Sequence, residues 1–180
     1  SKQAIQLHFN KMMDLLYPLI KPYVHQIQIG LEIDSWEVGM QNWTSGFEGE
    51  FCERTGYDLI KYLPAMTGKI VGSKEMTERF LWDIRRVQAG LLADNYYGEF
   101  RNLCNQYGLV SYCEPYDRGP MEELQIGSRV DGVMGEFWNG LSAIFQNNLM
   151  MRRTTKLASS IAHINGQKVV GAEAYTSEPE

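Results

Sequence analysis

The order of apolar segments along the chain constrains its fold more than any other feature. Short runs of β-branched and apolar residues, which are typical of strands, alternate with longer stretches whose apolar residues recur every three or four positions, as on one face of a helix. Strands are predicted within 26–34, 109–117, 129–138 and 168–177. Because strands that alternate with helices usually pair in parallel, this order predicts an α/β fold in which helices cover a parallel sheet.

The predicted helices begin and end at residues that favour helix ends. Residues 4–20 place apolar side chains at helical intervals, and Pro22 then disfavours continuation. Ser73 suits the N-cap of a long helix that Gly108 ends. A further helical periodicity runs from 141 to 149, ahead of the last predicted strand. The predicted order is therefore helix, strand, helices, strand, loop, strand, helix and strand.

Composition and charge exclude several classes of partner. The 180 residues are 44% hydrophobic and 22% charged, as in a globular domain, and the formal net charge is −5. Proteins that bind the nucleic-acid backbone carry basic surfaces, so no nucleic-acid partner is predicted. No apolar run approaches the ~18 residues that span a bilayer, and the first residues lack the pattern of a signal peptide, so no membrane partner is predicted. The three cysteines show neither disulfide-framework nor zinc-ligand spacing.

Each predicted strand ends with a glutamate that has an aromatic residue nearby. These glutamates are Glu37 in EIDSWE, Glu114 in SYCEPY, Glu136 in VMGEFW and Glu173 in VGAEAY. In α/β barrels the carboxyl ends of the strands form one face, so the four carboxylates are expected to gather on one rim. One such glutamate alone is usually a solvated loop residue. Clustered carboxylates repel each other and are typical of metal sites or of acid and base pairs, such as those that hydrolyse glycosidic bonds.

The sequence lacks the motifs of several other classes of enzyme. It contains no GxSxG nucleophile elbow, P-loop, dinucleotide-binding glycine fingerprint or HExxH helix. Aromatic residues make up 12% of the chain, and many lie beside carboxylates or amides, a mixture that suits the apolar faces and hydroxyl edges of sugars. His163 precedes the last predicted strand and is either a site residue or a turn histidine.

Several sequence blocks, in order over residues 25–178, resemble the catalytic module of the α-L-rhamnosidases of glycoside hydrolase family 106. The blocks are IDSWEVGMQNWT, FCERTGYDLIKYLPAMTG, ERFLWDIRRVQAGLLADNYYGEF, YCEPYDRGP, MGEFW and SSIAHINGQKVVGAEAYTS. The resemblance implies a (β/α)8 barrel of the TIM type and calcium-dependent hydrolysis, with inversion, of α-L-rhamnosides in plant-type polysaccharides. A complete barrel takes about 250 residues and eight strands. Residues 1–180 are therefore expected to form a single domain that is an excised part of a larger (β/α)8 module, a partial barrel of parallel strands alternating with helices.

The resemblance also implies roles for individual residues. Glu37 and Glu173 match the family's two essential glutamates, and we interpret Glu37 as the acid and Glu173 as the base, although the sequence leaves their order open. Glu136 matches the family's calcium-associated carboxylate. Contacts with the sugar or the metal are expected from Asp34, Trp36, Trp43, Glu114 and His163, and Trp138 is a further candidate stacking face.

The expected partner is a rhamnose-containing glycan. Open sheet edges in a partial barrel also predict a homo-oligomer, because unpaired strands and exposed core favour self-association. Two alternatives stay open. The first is a non-catalytic carbohydrate-binding or assembly module on a barrel scaffold; the second is a polysaccharide lyase, for which His163 is the candidate base. Polysaccharide degradation implies the periplasm or the cell exterior for the parent protein.

Overall fold

Four parallel strands form one sheet, in the order in which they occur along the chain. The computed structural model describes residues 1–40, 43–138 and 149–176. The strands are β1 Gly30–Ile33, β2 Val110–Cys113, β3 Gly132–Trp138 and β4 Gly171–Thr176. The sheet curls as half of an α/β barrel, so the predicted partial (β/α)8 barrel is confirmed.

Helices precede and connect the strands. They are α1 Lys2–Ile20, α2 Phe47–Thr55, α3 Lys74–Leu92, α4 Gly98–Gln106, α5 Glu123–Gly127 and α6 Leu149–Ile164. Two 3₁₀ segments, Lys21–Tyr23 and Ile60–Thr67, lie in the connections. A π-helical turn, Ala93–Tyr97, joins α3 to α4. None of the described helices is both long enough and apolar enough to cross a membrane.

The predicted elements lie where the structure has them, but all four strands are shorter than predicted, and the π-helical turn divides the long predicted helix. Ser73 caps α3 as predicted, since its Oγ accepts a hydrogen bond of 3.1 Å from the Met76 amide. The first strand is shorter than 26–34, because the amides of Gln26 and Ile27 bond to the Tyr23 carbonyl and continue a turn. The predicted helix of 141–149 falls largely outside the described residues.

The outer face of the sheet packs on helices. Side chains of β2 and β3, including Cys113 and Val133, lie fully buried against α6 and the π-helical turn. A second core joins α1 and α4 around Phe9 and Phe100. A third core lies among α2, the second 3₁₀ segment and α3, around Phe51. Burial of such side chains stabilises a fold by roughly 1.5–3 kcal/mol each.

The other face of the sheet is the inner face of the partial barrel. Ser111 and Cys113 are buried towards the helices, so Tyr112 between them points the opposite way. A Cβ atom at Gly132 would lie 2.3 Å from the Tyr112 ring, and one at Gly30 would lie 2.7 Å from it. The ring therefore covers both neighbouring strands, and only glycine fits beneath it.

The alternation of side chains sends a row of acids to this inner face, at or near the carboxyl ends of the strands. Glu32 lies on the same face as Gly30, and Glu114 lies on the same face as Tyr112. Met134 and Glu136 share this face with Gly132. On the last strand, Glu173 shares a face with Gly171, where a Cβ atom would lie 2.5 Å from the Met134 side chain. The fold thus concentrates carboxylates on one surface.

Candidate functional site

Three carboxylates meet where the strands end. Asp34, Glu114 and Glu173 each offer an oxygen, and these oxygens all lie within 4.8 Å of one another. They come from β1, β2 and β4, which are far apart in the sequence but converge in the sheet. Glu136 of β3 is paired in register with Glu173. We call these four residues the acid cluster.

Glu114 is the most unusual member of the acid cluster. Its side chain is fully buried, with 0% exposure. Neither of its carboxylate oxygens has a hydrogen-bond partner among the described residues. Burial raises the pKa of Glu114 to about 8; the nearby Tyr116 hydroxyl opposes this shift, and the carboxylates of Glu136 and Asp34 add to it. An unpaired buried carboxylate is costly, so this position fits a cation or a polar ligand.

Glu32 of β1 lies beside the acid cluster, and it was not predicted as a site residue from the sequence. Burial, followed by the charges of Asp34 and Glu173, raises the pKa of Glu32. Glu32, Asp34, Met134 and Glu173 line a pocket of about 450 Å³. The signal for Glu32 was its position two residues before Asp34, which puts both side chains on the same face of a strand.

Trp36 ties the end of β1 to the end of β2. Its backbone amide donates a 3.0 Å hydrogen bond to the Tyr116 carbonyl, and it forms a parallel bridge with Asp117. Its indole Nε1 donates to the Gly39 carbonyl at 2.6 Å. Glu37 is the next residue, and its exposed side chain lies in the loop above β1, outside the three-carboxylate group.

Trp43 lies on a larger groove that adjoins the acid cluster. The groove has a volume of about 1150 Å³, and both Glu32 and Asp34 line it as well as the smaller pocket. Trp43 is 47% exposed, and its ring packs at 5.4 Å from that of Phe47. An aromatic surface is therefore available within the same continuous depression as the acids.

Hydrogen bonds to its backbone groups hold Glu136 in position. Its amide and its carbonyl both bond to the Thr154 hydroxyl of α6, at 3.3 and 3.2 Å. These bonds fix β3 against α6 at the level where Glu136 and Glu173 are in register. Trp138 ends the same strand, and its side chain lies outside the described part of the chain.

His163 lies away from these acids. It is exposed in the last turn of α6, the end of the helix that leads back to the start of β4. Just beyond it, the Gln167 side chain donates to the carbonyl of Asp131, which immediately precedes β3. His163 is thus at the amino-terminal edge of the sheet, whereas the acid cluster is at the carboxyl-terminal edge.

Comparisons with known proteins all identify glycoside hydrolases as similar to this chain. The family Glyco_hydro_106, described as alpha-L-rhamnosidase, matches residues 1–180. A Formosa agariphila protein named "Putative beta-glucuronidase" is 49% identical over 173 residues, which cover 96% of this chain and 14% of that protein. The solved structure of a rhamnosidase from Novosphingobium sp. PP1Y is similar with a TM-score of 0.70 and 33% identity, over 83% of this chain and 14% of that one. The chain thus spans about one seventh of the length of either relative.

Proposed function

This chain belongs to the alpha-L-rhamnosidase family Glyco_hydro_106, and on that premise we propose that it supplies part of the catalytic barrel of a glycoside hydrolase acting on α-L-rhamnosides. One observation carries the proposal: carboxylates from three strand ends approach within 4.8 Å, and one of them, Glu114, is buried without a partner among the described residues. Such an arrangement is costly for the fold, so a function in binding or catalysis accounts for it.

Glu37 and Glu173 are the proposed acid and base. In an inverting reaction, one carboxylic acid protonates the leaving oxygen while a carboxylate on the other side activates a water, with the two groups about 6.5–9.5 Å apart. Glu173 lies on the inner face beside Asp34 and Glu114, where a carboxylate can contact a water held at the strand ends. Glu37, exposed above β1, is free to reach the oxygen of the departing group.

Calcium fits the acid cluster, because calcium prefers hard oxygen ligands and Glu114 offers two buried oxygens without partners among the described residues. We propose that Glu114, Asp34 and Glu136 hold the ion, with Glu173 at its border. When bound, calcium would neutralise the acidic rim and act there as a Lewis acid towards oxygen groups of the substrate. Glu114 would bind it only as a carboxylate, so binding would release the proton that burial favours on this residue.

The negative charge of the smaller pocket favours a neutral sugar over an anionic one. The smaller pocket is lined by the carboxylates of Glu32, Asp34 and Glu173, with Met134 as its apolar side chain and no cationic side chain among the described residues. The hydroxyls of rhamnose suit the carboxylates, and its methyl group suits Met134. Glu32 is not among the proposed calcium ligands, so its charge would still repel the carboxylate of a glucuronide when the ion is bound. This favours a rhamnoside as substrate over the sugar in the name of the Formosa relative.

The test uses the natural protein that carries this sequence, at its full length. We expect it to hydrolyse an aryl α-L-rhamnoside and not an aryl β-D-glucuronide, to lose activity with a chelator, and to regain it with calcium. Glu37→Gln and Glu173→Gln should each reduce turnover, whereas Glu78→Gln on the exposed face of α3 should not. Full turnover in both site variants would refute the proposed acid and base.

Calcium-dependent binding of the glycan without any turnover would favour the non-catalytic carbohydrate-binding module instead. The polysaccharide lyase alternative is weakened, since its candidate base, His163, lies at the other edge of the sheet. A lyase would act on a uronate-containing polysaccharide and release an unsaturated sugar that absorbs in the ultraviolet, which an assay on such a polysaccharide detects.

The open sides of the partial barrel support the proposed homo-oligomer. β1 and β4 are the outer strands of the described sheet. Leu15 and Leu19 of α1 are 79% and 71% exposed, and Val169, two residues before β4, is 79% exposed. Apolar surface beside unpaired strands favours association. Sedimentation of the 180-residue chain should show dimers or larger species, and a stable monomer would contradict this proposal.

A further inference from the structure

We propose that Trp36 is a positioning residue for Glu37, held in place by Tyr96 and Gly119, rather than a platform for the sugar. This inference rests on the proposed role of Glu37 as the general acid. Among the described residues, the Glu37 carboxylate has no hydrogen bond or ion pair, so the direction in which it points depends on the backbone that carries it.

That backbone is fixed through Trp36. The bond from its amide to the Tyr116 carbonyl joins the end of β1 to the end of β2. The bond of 2.6 Å from its indole to the Gly39 carbonyl closes the turn that contains Glu37. Gly39 has a φ of 71°, in the left-handed region that favours glycine. One side chain thus closes a turn of four residues around Glu37.

The indole is itself held by two neighbours. The Tyr96 ring meets it edge to face, with ring centres 5.9 Å apart and planes at 89°. Gly119 approaches so closely that a Cβ atom there would lie 2.7 Å from the indole Cδ1. Because the indole is half-buried and already engaged by these neighbours and by Gly39, its contacts account for a structural role in the loop better than for an open stacking face.

Tyr96 reaches the indole from the π-helical turn. The turn adds a residue to the helical repeat, and such bulges are frequent at functional sites. Asp94 in this turn is anchored by Arg129, whose Nε donates to it at 3.0 Å, and by Arg54 at 3.6 Å. These ion pairs and the buried Tyr97 fix the turn, and thereby the ring of Tyr96 beside it.

The expected consequence is specific to proton donation. A general acid must lie within hydrogen-bond reach of the leaving oxygen, and a displacement of about 1 Å can cost about 100-fold in rate. Dinitrophenol leaves readily without a proton, whereas a phenol or an alcohol with a high pKa needs one. Misplacement of Glu37 therefore slows the hydrolysis of substrates with poor leaving groups and spares those with good ones.

The experiment measures kcat/KM for a dinitrophenyl and a methoxyphenyl α-L-rhamnoside in the full-length natural protein. Trp36→Phe removes the Nε1 donor and should lose about 10- to 100-fold on the methoxyphenyl substrate, with less than about a threefold change on the other. Glu37→Gln should show the same pattern. Trp82→Phe, on the exposed face of α3 against Arg86, is the matched control and should change neither rate.

Variants of Tyr96 test the same contact without changing Trp36. Tyr96→Phe keeps the ring and should retain wild-type rates, whereas Tyr96→Ala should reproduce the loss on the methoxyphenyl substrate. Melting curves show whether each variant is folded. Equal losses on both substrates with a raised KM in Trp36→Phe would make the indole a sugar platform and overturn the inference, as would unchanged rates.

The proposed function can fail separately. If Glu37→Gln slows both substrates equally, Glu37 is not the acid, and its positioning by Trp36 falls with it. If Glu37→Gln shows the leaving-group pattern but Trp36→Phe and Tyr96→Ala do not, the acid is correct and only the positioning is wrong.

Discussion

Asp131 and Glu114 lie at opposite edges of the same pair of strands and have opposite environments. Asp131 precedes β3, and its Oδ2 accepts hydrogen bonds from the amide and hydroxyl of Ser111, at 3.0 and 2.9 Å. Its Oδ1 pairs with Arg101 at 2.7 Å. Glu114 follows β2, is more deeply buried, and has no hydrogen-bond partner among the described residues.

The difference distinguishes a carboxylate that holds the fold from one that, in the proposed function, binds a ligand. Asp131 joins the starts of β2 and β3 to α4, and every bond it makes is internal. Glu114 costs stability in its buried position without a partner. Parallel α/β sheets place binding groups at the carboxyl edge and leave the amino edge to structure. The two acids follow this division.

The largest expected effect is on catalysis at the carboxyl edge. Glu173→Gln should lower kcat on an aryl α-L-rhamnoside by about 10²- to 10⁴-fold, since it removes the proposed base. The melting temperature should change little, because Glu173 is only partly buried. Asp131→Asn, at the other edge, should keep kcat within about threefold once folded. A large loss of kcat in Asp131→Asn with none in Glu173→Gln would reverse the assignment of the two edges.

The next effect is on calcium binding. Calcium at about 100 times its dissociation constant should stabilise the protein by about 2.7 kcal/mol, which thermal melts with and without a chelator measure. Glu114→Gln should abolish this gain, whereas Asp131→Asn should preserve it. The same calcium response in Glu114→Gln as in the wild type would show that the ion, if bound, lies elsewhere.

A smaller effect is expected on stability at the amino edge. Asp131→Asn removes the charge that pairs with Arg101 and weakens the bonds to Ser111, so it should destabilise the protein by about 1–3 kcal/mol in urea unfolding. Asp14→Asn, on an exposed face of α1, is the matched control and should change stability by less than about 0.5 kcal/mol. If Asp131→Asn does not change the free energy of unfolding, this carboxylate has no structural role.

The sequence predicts the four strands and the rim of glutamates because both depend on short-range periodicity. Alternation places Glu114, Glu136 and Glu173 on one face, whatever lies around them. The same alternation places Glu32 on this face. Glu32 was not predicted as a site residue because it lies inside a strand rather than at its end. Trp36 was interpreted as a stacking face, and its engagement by Tyr96 and Gly119 arises only when distant segments meet.

Features that depend on tertiary packing could not be predicted from the sequence. The π-helical turn has an ordinary helical sequence, ADNYY, and its ion pairs to Arg54 and Arg129 come from other segments. His163 precedes a strand that carries Glu173 of the acid cluster, but a helix that returns antiparallel to the sheet delivers its last turn to the opposite edge. The burial of Glu114 likewise depends on how helices close around β2.

The smallest effect is the pH dependence that Glu114 gives to stability. Its pKa is about 8 in the folded protein, against 4.5 for an ordinary glutamate, so the folded state holds a proton that the unfolded state releases. Its contribution to stability is fully present below about pH 4.5 and is lost as pH rises through about 8. Chelator-treated wild type should therefore lose stability over this range.

Glu114→Gln should reduce that slope and gain about 0.5–2 kcal/mol at pH 8, in urea unfolding across pH. Some slope should remain, because the pKa of Glu32 is raised as well. An equal slope in Glu114→Gln and in the wild type would mean that Glu114 does not cause this pH dependence.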